Sequence, residues 1–326
     1  MESALLIGNG LNRCHLDKKL SWEALMREIA GKYGVAFHDN NSFPLEFECM
    51  ANRICQQDGK ALDDVIKDLK GDIADKINTF SPEPDWIHSQ FVNLPVREIM
   101  TTNYDYYLEK ILSPDFPQKW KGEATKDSYG LRRRYIGENK TVRHIHGDAG
   151  KSNSICLGYD HYARSIAKMR DYFKKEVDLE DTLAKQPLPQ EGQLPKKEKT
   201  QHFYGEAWME LFFTHDIHIV GLSLDVCEID LWWMLTYRAK LMAKSPTVRQ
   251  NIKNKVYFYY TTSTPKPTKC DECPDKPAQR KGTDIVALFE RLHVECIGVS
   301  RDAGYPDAYT QIATQIQDTI TQRNPI

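Results

Sequence analysis

Leu5-Leu6-Ile7-Gly8-Asn9-Gly10-Leu11-Asn12 is an aliphatic run that breaks abruptly into glycine. Such a run reads as a buried strand. A glycine turn directly after a first strand lets the backbone of a parallel sheet come close to a ligand. Three further segments share this form: Met100-Thr101-Thr102-Asn103-Tyr104-Asp105, His144-Ile145-His146-Gly147 and Ile219-Val220-Gly221-Leu222-Ser223-Leu224-Asp225. Each passes from β-branched or aliphatic residues into Gly, Asn, His or Asp. Loops leaving the carboxyl ends of parallel strands converge on one crevice, so the four segments read as walls of a single nucleotide site.

Strands are expected at Ala4–Ile7, 96–102, 141–145, Ile217–Val220, Val256–Thr261 and Val294–Ile297. Between them lie stretches with helical spacing. Trp22, Leu25, Met26, Ile29 and Tyr33 fall on one face, with Gly34 as a natural stop, and Leu62, Val65, Ile66, Leu69, Ile73 and Ile77 form a second stripe. Helical patterns recur over 159–184, 283–292 and from Pro306 towards Ile320, and Asp225 is expected to cap a helix whose Leu231, Trp232 and Leu235 look like core. The stretch from Ser113 to Lys140 reads as charged loop. Strands alternating with helices predict an α/β protein: a Rossmann-like parallel sheet with helices on both faces. The expectation is a single domain over 1–326, with helical cap insertions at about 30–90 and 110–215 and a proline- and lysine-rich mobile loop at 185–201.

Composition narrows the function classes. The 44 Lys and Arg nearly balance the 46 Asp and Glu, which does not directly indicate nucleic acid, since such binders usually carry a basic excess. No apolar run approaches the ~20 residues that span a bilayer, and no signal-peptide core precedes Ala4, so a cytoplasmic location without membrane attachment is expected. The eight cysteines are scattered, several of them in apolar segments, and are expected to be free thiols in a reducing compartment. Cys270 and Cys273 have the spacing of half a zinc site, but no second pair follows and prolines flank them, so no metal is expected.

Several residues could carry chemistry. Gly8 and Gly10 suit a close approach of pyrophosphate to amide N–H groups, although Arg13 stands where a third glycine is usual and an ordinary strand-to-loop turn is an equal reading. Asn103 offers donor and acceptor together, and Asp105 follows two residues on; both residue types also favour helix caps. His146, before Gly147 at a strand end, can act as a general base near neutral pH. His144 reads as a packed strand residue that shares a sheet face with His146 unless the strand has already ended. Gly221 and Ser223 form a second close-approach turn. Trp232-Trp233 reads as packing, and Arg132-Arg133-Arg134 as a solvated basic turn or a phosphate clamp.

In order, Gly8-Asn9-Gly10-Leu11-Asn12, Thr101-Thr102-Asn103-Tyr104-Asp105, His146-Gly147 and Gly221-Leu222-Ser223 resemble the sirtuin (silent-information-regulator) pattern. With Leu157-Gly158-Tyr159-Asp160-His161-Tyr162, they are similar to its bacterial antiphage-defence branch. The resemblance implies an NAD glycohydrolase that releases nicotinamide and ADP-ribose, an oligomer, and control by assembly or by a partner ATPase of the HerA type. It implies that Asn103 positions water or the nicotinamide ribose, that Asp105 contacts the nicotinamide side, and that His146 is the base. Gly8, Asn9, Gly10, Asn12 and Thr102 would line the pyrophosphate and ribose, and Gly221 and Ser223 the adenosine side. The four-cysteine zinc module of deacylating sirtuins has no counterpart after His146, and the segment after Gly10 lacks their G-I-P-D-F-R loop. An NAD-dependent deacylase, or an NAD or ADP-ribose sensor without turnover, are the alternatives.

Overall fold

Strand β1 (Ser3–Ile7) is buried on both faces along its whole length, as a near-continuous aliphatic run requires in the middle of a parallel sheet. The computed structural model describes residues 1–14, 22–38, 41–79, 86–118, 121–123, 129–177, 179–185, 205–263 and 282–323. On either side of β1 lie β2 (Glu98–Thr101) and β6 (Asp216–Val220), both parallel to it, with Ala4 level with Glu98 and Ile217. Beyond them come β5 (Thr141–His144) on one side, and β7 (Val256–Thr262) and β8 (Val294–Ser300) on the other. Taken as first to sixth in chain order, these parallel strands run third, second, first, fourth, fifth, sixth across the sheet. That is the Rossmann arrangement expected from the sequence.

Two short strands, β3 (Lys121–Glu123) and β4 (Arg134–Ile136), add an antiparallel edge beside β5. The sequence reads as loop here, because three-residue strands carry no periodicity to detect. Edges of this kind are common on otherwise parallel sheets.

Alternation along each strand divides the core. Leu5 and Ile7 join Ile99, Val142 and Val220 against α4 (Trp86–Val92), α5 (Tyr107–Leu112) and α12 (Tyr305–Arg323). Ala4 and Leu6 join Met100, Ile217 and Phe258 on the opposite face. There they pack against α6 (Tyr159–Asp171) with its π-helical extension Tyr172–Glu176, α8 (Leu211–Thr214), α9 (Ile229–Lys244) and α11 (Gly282–Arg291). Each fully buried aliphatic or aromatic side chain contributes roughly 1.5–3 kcal/mol. Trp232 stacks on Phe289 at 5.0 Å and Trp233 on Tyr237 at 4.8 Å, so the tryptophan pair is packing.

Helices α1 (Trp22–Lys32), α2 (Phe43–Asp58) and α3 (Leu62–Thr79) bury their stripes against each other in a third cluster. Gly59, with φ +65°, ends α2, and its N–H reaches the Cys55 carbonyl at 2.9 Å. Tyr104, Ile155 and Leu157 belong to the same cluster, so the helical cap rests on the loops leaving β2 and β5. Further along, α7 (Leu179–Lys185) and α10 (Pro246–Asn251) pack together. The six described cysteines are free. No helix among the described residues is long and apolar enough to cross a membrane. Most of the 185–201 segment, from residue 186 onward, and Cys270 and Cys273 lie outside the described residues.

Two local readings are corrected. Helix α9 begins at Ile229 with Glu228 as its flanking residue, so Asp225 does not cap it. The Arg132-Arg133-Arg134 run is neither a solvated turn nor a free clamp. Arg133 is buried and pairs with Asp148 at 2.9 Å, Arg132 meets Glu176 and Glu206, and Arg134 donates to the Gly205 carbonyl. The strand β5 ends at His144, which is the case in which His144 and His146 do not share a sheet face.

His144 ties the sheet to α5. Its Nδ1 donates to the Asn103 carbonyl at 2.9 Å and its Nε2 to Glu109 at 2.7 Å, in a fully buried setting. Burial alone would lower this imidazole, but the Glu109 carboxylate raises it to about 9. A raised folded-state value means the pair stabilises the fold fully below the unfolded value of about 6.5 and loses that contribution as pH rises through about 9. His144→Ala is expected to cost about 3–5 kcal/mol, the scale for breaking a buried pair. In urea unfolding, Glu109→Gln should be most destabilising relative to wild type near pH 6 and least so above about pH 9.5.

Gly147 sets a second limit. Its φ is +91°, and a Cβ there would lie 2.2 Å from the Ser154 carbonyl oxygen. Gly147→Ala is therefore expected to lose at least about 2 kcal/mol in the same measurement, strain and overlap acting together.

Candidate functional site

The four quoted segments sit at the carboxyl ends of β5, β2, β1 and β6, which are consecutive neighbours in the sheet. Strand order reverses between β1 and β6, and that switch point is where open α/β sheets bind ligands. Hydrogen bonds lock the segments together. The Gly8 N–H reaches the Val220 carbonyl at 3.0 Å, the Gly10 N–H reaches Gly221 at 2.6 Å, and the Thr102 N–H reaches Ile7 at 3.3 Å. Thr101 Oγ1 donates to the Ile7 carbonyl at 2.9 Å and accepts from the Asn103 N–H at 3.0 Å.

At the switch point the glycines serve backbone contact. A Cβ on Gly10 would lie 2.7 Å from both the Cα and the carbonyl oxygen of Gly221, and Gly221 itself has φ +66°. The close approach read from the sequence is thus made between the two turns. Asn9 is half-buried beside them and Ser223 is exposed at the rim. Thr102 is buried at the end of β2.

Asn12 and Asp105, 93 residues apart in sequence, meet directly: Asn12 Nδ2 donates to Asp105 Oδ2 at 2.9 Å. His88 of α4 reaches Asn12 Oδ1 at 2.8 Å, extending the chain of bonds inward. Asp105 also accepts the Tyr107 N–H at 3.1 Å in the first turn of α5, so it does the local work of a helix-start acceptor. Burial pushes its carboxyl above the usual range, with the Tyr107 and Asn12 hydrogen bonds opposing.

Asn103 is buried, its N–H held by Thr101 and its carbonyl by His144, while its side-chain Oδ1 has no hydrogen-bond partner. A buried acceptor without a partner costs free energy, and such groups are kept where a ligand or water completes them.

His146, on the neighbouring strand end, faces away towards α6 and α9. Its Nε2 lies 3.0 Å and 3.2 Å from the two carboxylate oxygens of Asp230, and its Nδ1 lies 3.8 Å from Glu228. Tyr162 of α6 sets its ring edge-on to the imidazole at 5.4 Å. Burial works to lower His146, but Asp230 by charge and hydrogen bond, then Glu228 by charge, raises it to about 9. Burial and the Asp230 and Asp225 carboxylates push Glu228 up to about 7 against the pull of His146. Glu228 Oε2 has no hydrogen-bond partner.

The donor atoms of His146, Glu228 and Asp230 lie within 4.8 Å of one another. Within that group His146 and Asp230 share a hydrogen bond. Sequence reading missed both carboxylates, which lie more than 80 residues from His146 (82 for Glu228, 84 for Asp230). The only available signal was the pair of acids at the start of a helix, where acids are ordinary.

Residues 97–224 match the family model described as a SIR2-like domain. The matched span runs from β2 through Asn103, His146 and Gly147 to the turn after β6, leaving out the Gly8 turn and α9. No curated protein matches the chain. SIR2-like domains are associated with NAD chemistry, and the Rossmann order places its switch point between β1 and β6. On the fold and on that match, residues 97–224 of the chain are similar to a SIR2-like domain.

Proposed function

We propose that the protein hydrolyses NAD at the nicotinamide–ribose bond, giving nicotinamide and ADP-ribose. The observation that carries this reading is the Asn103 side-chain oxygen, buried and unpartnered past the end of β2 beside the β1/β6 switch point, with His146 just past the end of the neighbouring β5. NAD is bound as substrate. Nicotinamide is already a cationic leaving group, so bond cleavage demands stabilisation of an oxocarbenium-like ribose more than acid catalysis. Asn103 Oδ1 accepts a hydrogen bond from the ribose or from the attacking water, and the site acts by positioning and electrostatics.

In this reading Gly8, Asn9, Gly10, Asn12 and Thr102 line the phosphate and ribose path, Gly221 and Ser223 the adenosine side, and Asp105 the nicotinamide side. Asp105, already satisfied by Asn12 and Tyr107, acts by holding Asn12 in place. The 1–326 chain works as one catalytic unit in which the α1–α3 cap closes over the loops of β2 and β5. The biological role proposed is that of a cytoplasmic antiphage effector that depletes NAD. It is switched on by self-assembly or by a partner such as a HerA-type ATPase, because an unrestrained NAD hydrolase would drain its own cell.

Purified protein incubated with NAD, followed by chromatography, is expected to release nicotinamide and ADP-ribose without any peptide. Asn103→Ala and His146→Ala should each lower turnover by at least ~10²-fold, the scale for losing a positioned catalytic group. Release only with an acylated peptide would make the protein a deacylase. Binding of NAD without turnover, across a concentration series monitored by light scattering, would make it a sensor.

A further inference from the structure

The histidine expected to be the base is held in an ion pair with Asp230. Asp230 sits in the first turn of α9, and its Oδ1 also accepts the Leu231 N–H at 2.9 Å, so its carboxylate is fixed before it meets His146. Both Asp230 oxygens face His146 Nε2. That contact turns the other edge of the ring, Nδ1, towards Glu228, whose Oε2 has no hydrogen-bond partner and whose side chain keeps 21 % exposure. Glu228 is thus the member of the trio that lies beside the histidine with a buried carboxylate oxygen left without a hydrogen-bond partner.

We infer that Asp230 is a positioning residue that fixes the His146 ring, and that Glu228, beside the His146 Nδ1 edge, accepts the proton released in the reaction. The inference rests on the NAD-hydrolase reading. In the step, water oxygen forms a bond to C1′ of the nicotinamide ribose, and the C1′–N bond breaks with its electron pair going to the nicotinamide ring nitrogen. One water proton is released. The Glu228 carboxylate takes it, and the His146 imidazolium, already carrying its protons, contributes positive charge that favours the ionised form of Glu228.

The other titratable groups around the pair do not compete for this role. Tyr104, Tyr162 of α6 and Cys156 are all held well above their ordinary values by burial, and Cys227 is pushed up to about 12 by burial and by Glu228 and Asp225. Asp225 is exposed on the loop leading to α9. Glu228, pushed up to about 7, and His146, at about 9, are left to titrate in the working range.

Two measurements test the inference. In NAD turnover against pH, the acidic limb of kcat should lie near 7 and disappear in Glu228→Gln, with kcat lower by ~10²-fold and KM for NAD within about threefold of wild type. A limb near 9 that moves down in Asp230→Asn, with Glu228→Gln retaining near-wild-type kcat, would make His146 itself the acceptor and overturn the assignment. Nitrogen-15 spectra of the histidine side chains, taken without NAD and assigned with His146→Gln, read the geometry independently of catalysis. An imidazolium at about pH 8 in wild type that becomes neutral in Asp230→Asn is expected. A His146 that titrates near 6.5 and ignores Asp230→Asn would overturn the positioning role, even in a protein that turned over no NAD. Thermal melts of each variant separate loss of fold from loss of proton transfer. Should Asp230→Asn fail to fold, the wild-type titration and the Glu228→Gln pH profile decide the matter between them.

Discussion

The turns leaving β1 and β6 are packed so closely that no side chain fits between them, and the rest of the site depends on that contact. A Cβ on Gly8 would lie 2.6 Å from the Gly221 carbonyl oxygen, and the Gly10 N–H is bonded to that same oxygen at 2.6 Å. Both strands therefore end at one level, and the crevice between their loops is set by backbone. Backbone contacts of this kind do not depend on rotamers, which gives a site the precision that loops alone lack. From there the registry passes outward: Thr101 hooks β2 to Ile7, and the Ile145 N–H reaches the Thr101 carbonyl at 3.0 Å. Asn103 and His146 inherit their positions from this ladder.

Two buried histidines flank the ladder, and each is matched to a carboxylate, with different consequences. His144 spends both nitrogens on Asn103 and Glu109 inside the fold, so it is a structural cation that also holds the Asn103 backbone. His146 spends one nitrogen on Asp230 and leaves the other edge near a glutamate that retains some exposure. An imidazolium whose hydrogen bonds are all internal can only stabilise. One with an edge near a titrating acid can take part in proton movement. The difference follows from strand β5 ending at His144, which sends the two rings to opposite sides of the sheet.

Much of this was legible in the chain. The aliphatic run of β1 and the Ile219-Val220 end of β6 are plain because strands buried on both faces cannot hide their composition, and the stripes of α1 and α3 are plain at helical spacing. The edge strands around Gly122 and Tyr135 were not legible, being too short for a period. Arg133 looked solvated because nothing in sequence ties it to Asp148, 15 residues on. The glycines of the first turn read as places where a ligand comes close; in the structure the close neighbour is Gly221, a tertiary fact. Glu228 and Asp230 were overlooked for the same reason. Two acids opening a helix are commonplace, and only the packing of α9 against the end of β5 gives them a histidine.

The position of those acids explains how a buried carboxylate is tolerated so near the crevice. Asp230 is fully buried, and an isolated buried charge costs several kcal/mol or more. Three things offset that cost here. The amino end of the 16-residue helix α9 carries a partial positive charge that favours an anion in its first turn. The Leu231 N–H donates to the carboxylate, and the His146 imidazolium pairs with it. Remove the histidine and two of the three remain. Remove the aspartate and His146 is left buried with only a partly protonated glutamate at 3.8 Å. The dependence is therefore one-directional: the charge state of the histidine follows from the helix that carries its partner. The fold supplies the electrostatics of the site through the placement of α9 as much as through the strand ends themselves.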